Sequence, residues 1–235
     1  MVIVHVKITV QRVRLGAAEL QVIRPAKPLA NGALYDTGHQ YHMYVDRMDG
    51  RRVGALWLLA ARSPRSLVYL PMRATPPAPG INPDWDKEER CPDRPLDLVL
   101  AHHSLQFPPS RWKRLRKWIT AGSAPREVRT ASVPDTDLPA DEEIDYRALN
   151  YRENRDALHQ RVHAETLFLT GSAAAFRQPA RHFFAVAKEG PPAAATSLYI
   201  SGACNYHVCR LFYWPDLDPG RGQDIHVEYC PRWTT

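Results

Sequence analysis

The first residues of the chain alternate between apolar and polar side chains, and no other feature constrains the fold as strongly. Between residues 2 and 13, one face of an extended chain carries only aliphatic side chains: Val2, Val4, Val6, Ile8 and Val10. The opposite face carries Ile3, His5, Lys7, Thr9 and Gln11. A period of two with a single apolar face predicts a β-strand in a sheet that is covered on one side only.

Several later segments are also predicted to be β-structure. Asp49-Gly50 separates apolar runs at 41–48 and 51–59, and this dipeptide is a strong signal for a two-residue hairpin turn. A turn at 215–222 is expected to bring the last strand back onto the one before it. The further predicted strands are Ser66–Leu70, Leu96–Ala101, Glu127–Val133, Thr196–Trp214 and Asp224–Cys230.

Helical segments are predicted between these strands. Ser110 is a good N-cap and Gly122 a good terminator, so a helix is expected between them. The longest predicted helix covers Tyr146 to about Thr170. Gly171 is expected to end it, and Ser172 to cap the next segment. The mixture of elements predicts an α+β fold with antiparallel sheets packed against a few helices, in a ferredoxin-like or RRM-like arrangement.

Proline and acidic residues suggest how the chain is divided. Residues 71–95 contain seven prolines and are predicted to form a long surface loop. Residues 134–145 contain six acidic residues and two prolines and are predicted to be a linker. On this interpretation, a β-rich unit at 1–133 with a basic helix precedes a unit at 146–235 that contains a helical segment and a β-hairpin. The alternative is that both parts share one sheet.

Prolines also mark two expected interruptions in the second half of the chain. Pro179 is predicted to break the segment that Ser172 begins, because an interior proline removes a helical hydrogen bond. Gly190-Pro191-Pro192 is predicted to be a second break.

The charge of the chain is dominated by arginine. There are 31 basic and 25 acidic residues, a net charge of +6 at pH 7, and only six of the basic residues are Lys. Arg presents a planar fork of donors that matches phosphate oxygens. A GC-rich genome would also enrich Arg, so the placement of the charge has to distinguish the two explanations.

That placement is most informative between Arg111 and Ile119, where the sequence is RWKRLRKWI. On a helix, one face collects Trp112, Leu115, Trp118 and Ile119. The opposite face collects Lys113, Arg114, Arg116 and Lys117, with Arg111 near the apolar edge. Like charges at these spacings repel one another, and no acid between Ser110 and Gly122 offsets them. The helix is therefore predicted to bind a polyanion, with RNA or DNA as the expected partner.

Neighbouring cations are expected to extend this surface. Arg126 and Arg129 follow the basic helix closely, and His5 and Lys7 lie on the polar face of the first strand. A sheet with one polar, basic face is a common platform for RNA. The aromatic RNP1 signature of RRM domains is absent.

The opening strand, the basic helix and the alternation of helices and strands resemble the RNA-binding subunits of CRISPR ribonucleoproteins. The resemblance implies a ferredoxin-like fold, an RNA partner and an assembly with other protein subunits. The glycine-rich loop typical of the guide-processing members is missing, apart from Gly220 and Gly222.

One histidine pair suggests a catalytic alternative. His102 and His103 follow a predicted buried strand and precede Ser104. A histidine there would be suited to act as general base on a ribose 2′-hydroxyl while a nearby Arg stabilises the phosphate charge. The alternative function is therefore a metal-independent ribonuclease. A third possibility is a protein–protein adaptor or immunity-type protein that uses the proline loop.

No metal or cofactor is expected. His159 and His163 are four residues apart on the predicted long helix, but Gln160 stands where a metalloprotease has Glu. Cys204 and Cys209 point to opposite faces of an extended strand, so buried cysteines are the simpler interpretation. The glycine-rich phosphate loops, dinucleotide fingerprints and nucleophile elbows are all absent.

The sequence also bears on location. It contains no run of 18 apolar residues, and its first residues lack a small-residue cleavage site. Its four cysteines, Cys91, Cys204, Cys209 and Cys230, form no disulfide framework. A cytoplasmic nucleic-acid-binding protein that makes no contact with a membrane is the expectation.

Overall fold

A computed structural model describes residues 3–16, 18–38, 40–75, 94–122, 125–138, 158–196, 204–208 and 225–231. Within these ranges the chain forms two β-sheets and three α-helices, which confirms the predicted α+β class. Most of the proline-rich stretch, most of the acidic linker, the predicted turn at 215–222 and Cys209 lie outside the described residues.

The described chain contains twelve strands and three α-helices, and each helix lies between groups of strands. The strands are β1 (Ile3–Leu15), β2 (Ala18–Pro25), β3 (Gly32–Asp36), β4 (Tyr41–Val45), β5 (Ser66–Leu70), β6 (Arg94–Pro95), β7 (Asp97–His102), β8 (Arg126–Pro134), β9 (His159–Val162), β10 (Thr166–Gly171), β11 (Asn205–Val208) and β12 (Ile225–Tyr229). The helices are α1 (Arg47–Arg62), α2 (Trp112–Thr120) and α3 (Ala173–Ala194).

Both sheets are mixed, where wholly antiparallel sheets were expected. The larger sheet has the order β8-β1-β2-β5-β7-β10-β9, and its β2/β5 and β7/β10 pairs are parallel. The smaller sheet has the order β11-β12-β4-β3-β6, and its β12/β4 pair is parallel. Each sheet contains strands from both sides of the predicted linker. The division into two units stays a prediction.

The larger sheet is covered on both faces by helices. The main core joins both sheets to α1 and α3, and Trp57 of α1 lies there against Phe183, with ring centroids 4.9 Å apart. A second core on the opposite face of the larger sheet is closed by Trp112, Leu115 and Ile119 of α2. The larger sheet therefore separates α2 from the two longer helices.

The first strand forms as predicted, but its buried face changes along its length. Val6, Ile8 and Val10 belong to the main core, whereas Val13 and Leu15 belong to the core under α2. The polar face of β1 is exposed to solvent only near the N-terminal end of the strand, because His5 and Lys7 are exposed while Thr9 and Gln11 are buried.

The hairpin predicted around Asp49-Gly50 is wrong. Both residues lie in the first turns of α1, where Asp46 is the N-cap and its Oδ1 accepts a hydrogen bond from the Asp49 N–H at 2.7 Å. Nearly every residue of α1 from Val53 to Ala61 is buried. A helix buried on all sides shows no 3.6-residue period, so its apolar run imitates a strand.

The long helix predicted up to Thr170 is wrong for its described part, residues 158–170. These residues form the β9–β10 hairpin, whose two central turn residues, Ala164 and Glu165, have φ of 50° and 59°. Positive φ at both positions defines the type I′ turn, which usually takes Asn-Gly or Asp-Gly. The sequence lacks that signal because Ala and Glu occupy the turn.

The third helix continues through both predicted breaks. Ser172 is its N-cap, as predicted, and its hydroxyl accepts a hydrogen bond from the Ala175 N–H at 3.1 Å. Pro179 and the Gly190-Pro191-Pro192 sequence all lie inside α3. Burial of Phe176, Phe183 and neighbouring side chains in the main core stabilises the helix despite its prolines.

Gly190 has a packing role, because α3 passes directly over Tyr229 of β12. A Cβ atom at position 190 would lie 2.1 Å from the Tyr229 ring. The substitution Gly190→Ala is expected to lower the free energy of unfolding by about 1–3 kcal/mol through overpacking. Urea denaturation followed by circular dichroism measures this, with Lys188→Ala on the exposed side of α3 as the control. Equal midpoints for both variants would contradict the prediction.

No helix among the described residues is both long enough and apolar enough to cross a membrane.

Candidate nucleic-acid interface

The second helix is held on the sheet by the apolar face that its sequence predicts. Trp112, Leu115 and Ile119 are fully buried, and Trp118 is partly buried beside them. The indole N–H of Trp112 donates to Thr166 Oγ1 at 2.8 Å, and its ring meets Tyr69 edge-on. This anchoring fixes which side chains of α2 face the solvent.

The start of α2 differs from the prediction. Ser110 is not the N-cap, because a 3₁₀ turn at Pro109–Arg111 precedes the α-helix. Arg111 takes the N-cap position, and its side chain caps no backbone N–H. The end is close to the expectation: α2 stops at Thr120, and Gly122 follows with φ of 72°.

Four of the predicted cations project from this anchored helix. Arg111, Lys113, Arg114 and Lys117 are all exposed, and none forms an ion pair with a carboxylate in the described part of the chain. The Arg114 guanidinium lies 5.2 Å above the Trp118 ring, which holds that side chain against the helix surface. The helix therefore presents a row of unneutralised positive charge, which we call the α2 cation row.

Arg116 was predicted to belong to this row, but its guanidinium turns toward the sheet. It donates to the Ala164 carbonyl oxygen at 3.0 Å and lies 3.5 Å from the Asp97 carboxylate. The Glu165 carboxylate is 3.7 Å away. Arg116 therefore ties α2 to β7 and to the β9–β10 turn, and its charge is already matched.

Asp97 is the centre of this connection. Its side chain is 3% exposed, and it accepts hydrogen bonds from the Tyr69 hydroxyl and the Arg73 backbone N–H, both at 3.1 Å. The Arg73 guanidinium lies 3.3 Å from the same carboxylate and also pairs with Glu165. Burial, followed by the charge of Asp97, raises the pKa of Tyr69 and keeps its hydroxyl protonated as a donor.

The cations on the sheet divide between its two faces. Arg126 pairs in register with Gln11, so its side chain lies on the α2 face, whereas Arg129 pairs with Ile8 and lies on the other face. Arg129 also donates twice to Glu127, at 2.6 and 2.7 Å. Of these two residues, Arg126 alone presents an unpaired charge on the α2 face.

The remaining predicted residues of the first strand lie on the α2 face as well. His5 Nδ1 is 3.0 Å from Ser132 Oγ of the neighbouring β8 strand. Lys7 is exposed and forms no ion pair with a described residue. They extend the polar side of the sheet beyond Arg126.

Sequence reasoning missed one basic residue of this face. Arg24 of β2 lies directly opposite Thr9 in the register, and its Nη2 donates to Gln11 Oε1. The pKa of Arg24 is lowered, first by burial and then by the positive charge of Arg126. No pattern marks Arg24 in the sequence, because its importance comes from strands that are distant in the chain.

Of the two predicted catalytic histidines, His102 is the last residue of β7 and His103 is the first residue of the 3₁₀ turn that follows it. His102 Nδ1 accepts a hydrogen bond from the Ser104 N–H at 3.2 Å and lies 2.8 Å from Ser104 Oγ. The His103 ring is 4.5 Å from the His102 ring, centroid to centroid. Burial, and then the charge of His103, lowers the pKa of His102 and favours its neutral form.

This arrangement limits what His102 can do. A backbone N–H only donates, so Nδ1 is the acceptor and the ring proton of neutral His102 lies on Nε2. In that tautomer Nε2 is a donor and not a base. No carboxylate of the described residues pairs with either ring to orient it, as catalytic histidines usually require.

The described residues contain no group of three or more His, Cys, Asp or Glu side chains arranged to hold a metal. The predicted helical pairing of His159 and His163 is wrong, because His159 lies in β9 and His163 opens the β9–β10 turn. Cys204 is buried, in agreement with the interpretation of a packed cysteine.

A second polar feature, not expected from the sequence, lies on the smaller sheet. His42, His226 and His207 occupy neighbouring positions of β4, β12 and β11. Their ring centroids are 5.1 and 5.0 Å apart in that order, and His226 lies 3.6 Å from the Glu228 carboxylate. The row arises from strand pairing between distant segments, which a single sequence does not show.

Comparison with known proteins adds no family assignment. What this protein binds is therefore inferred from its own residues and their geometry. No protein-family model, no curated protein and no solved structure matches the chain.

Proposed function

We propose that this protein binds nucleic acid, RNA in the first instance, through the α2 cation row and the neighbouring basic positions of the larger sheet. The observation that carries the proposal is the anchoring of α2. Trp112, Leu115 and Ile119 of its apolar face are fully buried, yet Lys113, Arg114 and Lys117 face the solvent without a carboxylate partner in the described residues.

The like charges of the row are placed where they repel one another. Arg114 and Lys117 are three residues apart and Lys113 and Lys117 four, and these spacings put side chains on one surface of a helix. Burial of the apolar face prevents α2 from rotating to separate them. A chain of phosphates supplies the missing negative charge and releases its own counterions on binding, so the repulsion becomes a source of affinity.

The other basic residues fit the same partner. Arg126, Lys7 and His5 lie on the α2 face of the sheet, so a strand of nucleic acid leaving the helix would meet further donors. Phosphate contacts of this kind fix the position of a nucleic acid without selecting its sequence. The proposal is therefore for backbone recognition, within an assembly with other protein subunits if the resemblance to CRISPR ribonucleoproteins extends to function.

The histidine pair supports no second proposal. Nε2 of neutral His102 is a donor and no carboxylate of the described residues pairs with either ring, so beyond the position of the pair no observation favours catalysis, and the ribonuclease alternative stays a prediction. The adaptor alternative is addressed by the experiment below, because an acidic protein partner would also need the cation row.

Charge reversal on α2 is expected to remove RNA binding. The triple variant Lys113→Glu, Arg114→Glu, Lys117→Glu should weaken the affinity for a fluorescently labelled single-stranded RNA by about 100-fold or more, because three phosphate contacts become repulsive. Fluorescence anisotropy measures the affinity. These side chains are exposed, so the fold should survive, and circular dichroism confirms it.

A matched control separates a specific surface from net charge. Arg47, Arg177 and Lys188 are exposed cations of α1 and α3, and changing all three to Glu alters the net charge by the same amount. This control should retain RNA binding within a few-fold. Equal losses in both triple variants would show that net charge and not α2 governs binding. No binding by the wild-type protein would remove the nucleic-acid proposal and favour an acidic protein partner.

The dependence of binding on salt gives an independent prediction. For single strands, the logarithm of the affinity falls with the logarithm of the salt concentration with a slope of about −0.7 per neutralised phosphate. Contacts from the four side chains of the α2 cation row alone should give a slope of about −3. The charge-reversed α2 variant should show a clearly shallower slope in the same titration. A flat wild-type titration would contradict phosphate recognition.

A further inference from the structure

Two guanidinium groups converge over the first strand on the α2 face. Arg126 of β8 lies directly opposite Gln11 of β1, and Arg24 reaches the same Gln11 from β2 on the other side. Gln11 is fully buried beneath them, and its side-chain oxygen accepts from Arg24 Nη2. The amide therefore holds Arg24 in place, while Arg126 approaches from the opposite strand.

The charge of this pair is uncompensated. No carboxylate of the described residues pairs with Arg24 or Arg126, and Arg24 Nε is buried without a hydrogen-bond partner. Burial lowers the pKa of Arg24, and the charge of Arg126 lowers it further. Burial and the Arg126 charge both make the protonated form of Arg24 less favourable. A guanidinium group nevertheless stays protonated in proteins, so the charge remains in the site.

Three other partly buried arginines of this protein have carboxylate partners, unlike Arg24. Arg73 and Arg116 both lie beside Asp97 and Glu165, and Arg52 pairs with Asp49 at 2.6 Å. Arg24 is partly buried like these residues but has a neighbouring cation where they have a carboxylate. A positive charge that is partly removed from water beside a second cation is costly, so an anion supplied from outside would relieve the repulsion between Arg24 and Arg126.

We propose that Arg24 and Arg126 form a subsite for one phosphate group of the bound nucleic acid. The subsite rests on the proposed function for the source of that phosphate. Two guanidinium forks present several donors to the oxygens of one phosphate, which is the geometry that makes arginine the preferred residue for such groups. Lys7 lies on the same face of β1 and would meet the next part of the backbone.

Inorganic phosphate is the probe for the subsite alone. Thermal unfolding of the full chain is measured in sodium phosphate and in sodium chloride at equal ionic strength, so that charge screening is the same in both salts. Phosphate also stabilises folded proteins in general because it is excluded from their surface, and specific binding is therefore the part of the rise that the variants lose. The rise of the midpoint in phosphate should be several degrees larger for the wild type than for Arg24→Gln or Arg126→Gln, the second of which changes an exposed side chain and leaves the core intact.

The same variants test whether Arg24 has a structural role. In chloride, Arg24→Gln should unfold at the wild-type midpoint or above it, because the substitution removes repulsion from Arg126 and keeps an amide beside Gln11. A structural arginine would instead lower the midpoint in both salts. Arg65→Gln, at an exposed position on the other face, is the matched control and should keep the full phosphate effect.

RNA binding by the same variants tests the source of the phosphate. Arg24→Gln should weaken single-stranded RNA binding by about tenfold and make the salt slope shallower by about one phosphate contact. A phosphate effect that is equal in wild-type and Arg24→Gln overturns the subsite, and so does unchanged RNA affinity in that variant. If the phosphate effect is larger in the wild-type protein than in Arg24→Gln but the wild type binds no RNA, the proposed function fails while the anion site itself is supported.

Discussion

Replacing Asp97 with alanine is expected to lower the free energy of unfolding by about 3–5 kcal/mol. The Asp97 carboxylate is 3% exposed and accepts from Tyr69 and from the Arg73 backbone, and the guanidinium groups of Arg73 and Arg116 lie within 3.5 Å. Its removal leaves the Tyr69 hydroxyl and the Arg73 backbone N–H without their acceptor, and leaves two cations with the exposed Glu165 carboxylate as their remaining negative partner. Urea denaturation followed by circular dichroism gives the free energy of unfolding.

One further substitution separates the charge of the Asp97 carboxylate from its hydrogen bonds, and a second is the control for an exposed ion pair. Asp97→Asn keeps an acceptor for Tyr69 but loses the negative charge, so its effect should lie between those of wild type and Asp97→Ala. Glu127→Ala removes an exposed ion pair with Arg129 and should leave the midpoint unchanged, because such pairs are screened by water. A wild-type midpoint for Asp97→Ala would show that the network contributes nothing to stability.

The Asp97 network also matters for the proposed interface. Arg116 links α2 to β7 and to the turn at Ala164, so the network fixes one side of the helix that carries the cation row. Trp112 fixes the same helix through its hydrogen bond to Thr166. A surface for a flexible polyanion benefits from this rigidity, since ordered donors lose less entropy on binding.

The parts of the fold that could be predicted are those with a local signal. The opening strand was visible from its period of two, and Ser66–Leu70 from an apolar run between turn residues. The helix at Trp112–Thr120 was visible from its amphipathic pattern. In each case the side chains that decide the structure are neighbours in the sequence.

The parts that could not be predicted depend on tertiary packing. Helix α1 is buried on nearly all sides, so its apolar run lacks the helical period. The turn at Ala164-Glu165 has positive φ at both residues without glycine, and Glu165 is held there by Arg73 and Arg116. Helix α3 continues through its prolines because its apolar side chains pack in the main core.

The same distinction applies to the candidate site. The pattern of α2 separated buried from exposed positions, but it could not distinguish Arg114 from Arg116. Arg116 pairs with the carboxylate of Asp97, and this residue belongs to β7, which does not adjoin α2 in the helical pattern that the sequence shows. Arg24 was missed for a similar reason, since its relation to Arg126 exists only when β2, β1 and β8 are paired.

The substitution Trp57→Ala is expected to lower the free energy of unfolding by about 3–5 kcal/mol, through lost apolar burial and the cavity left behind. Trp57 is fully buried in α1, and its ring packs against Phe176 and Phe183 of α3. This contact joins the two helices that lie in the main core with both sheets. Chemical denaturation measured by circular dichroism tests the value.

The variant Trp57→Phe should cost far less than Trp57→Ala, for a reason specific to this site. Among the described residues, the buried indole N–H of Trp57 has no hydrogen-bond partner, and an unsatisfied buried donor costs about 1–3 kcal/mol. Phenylalanine fills most of the space and removes that donor, so the two contributions partly cancel. If Trp57→Phe lowered the free energy of unfolding by as much as the loss of ring volume alone predicts, the orphan N–H would cost nothing measurable and the predicted cancellation would be wrong.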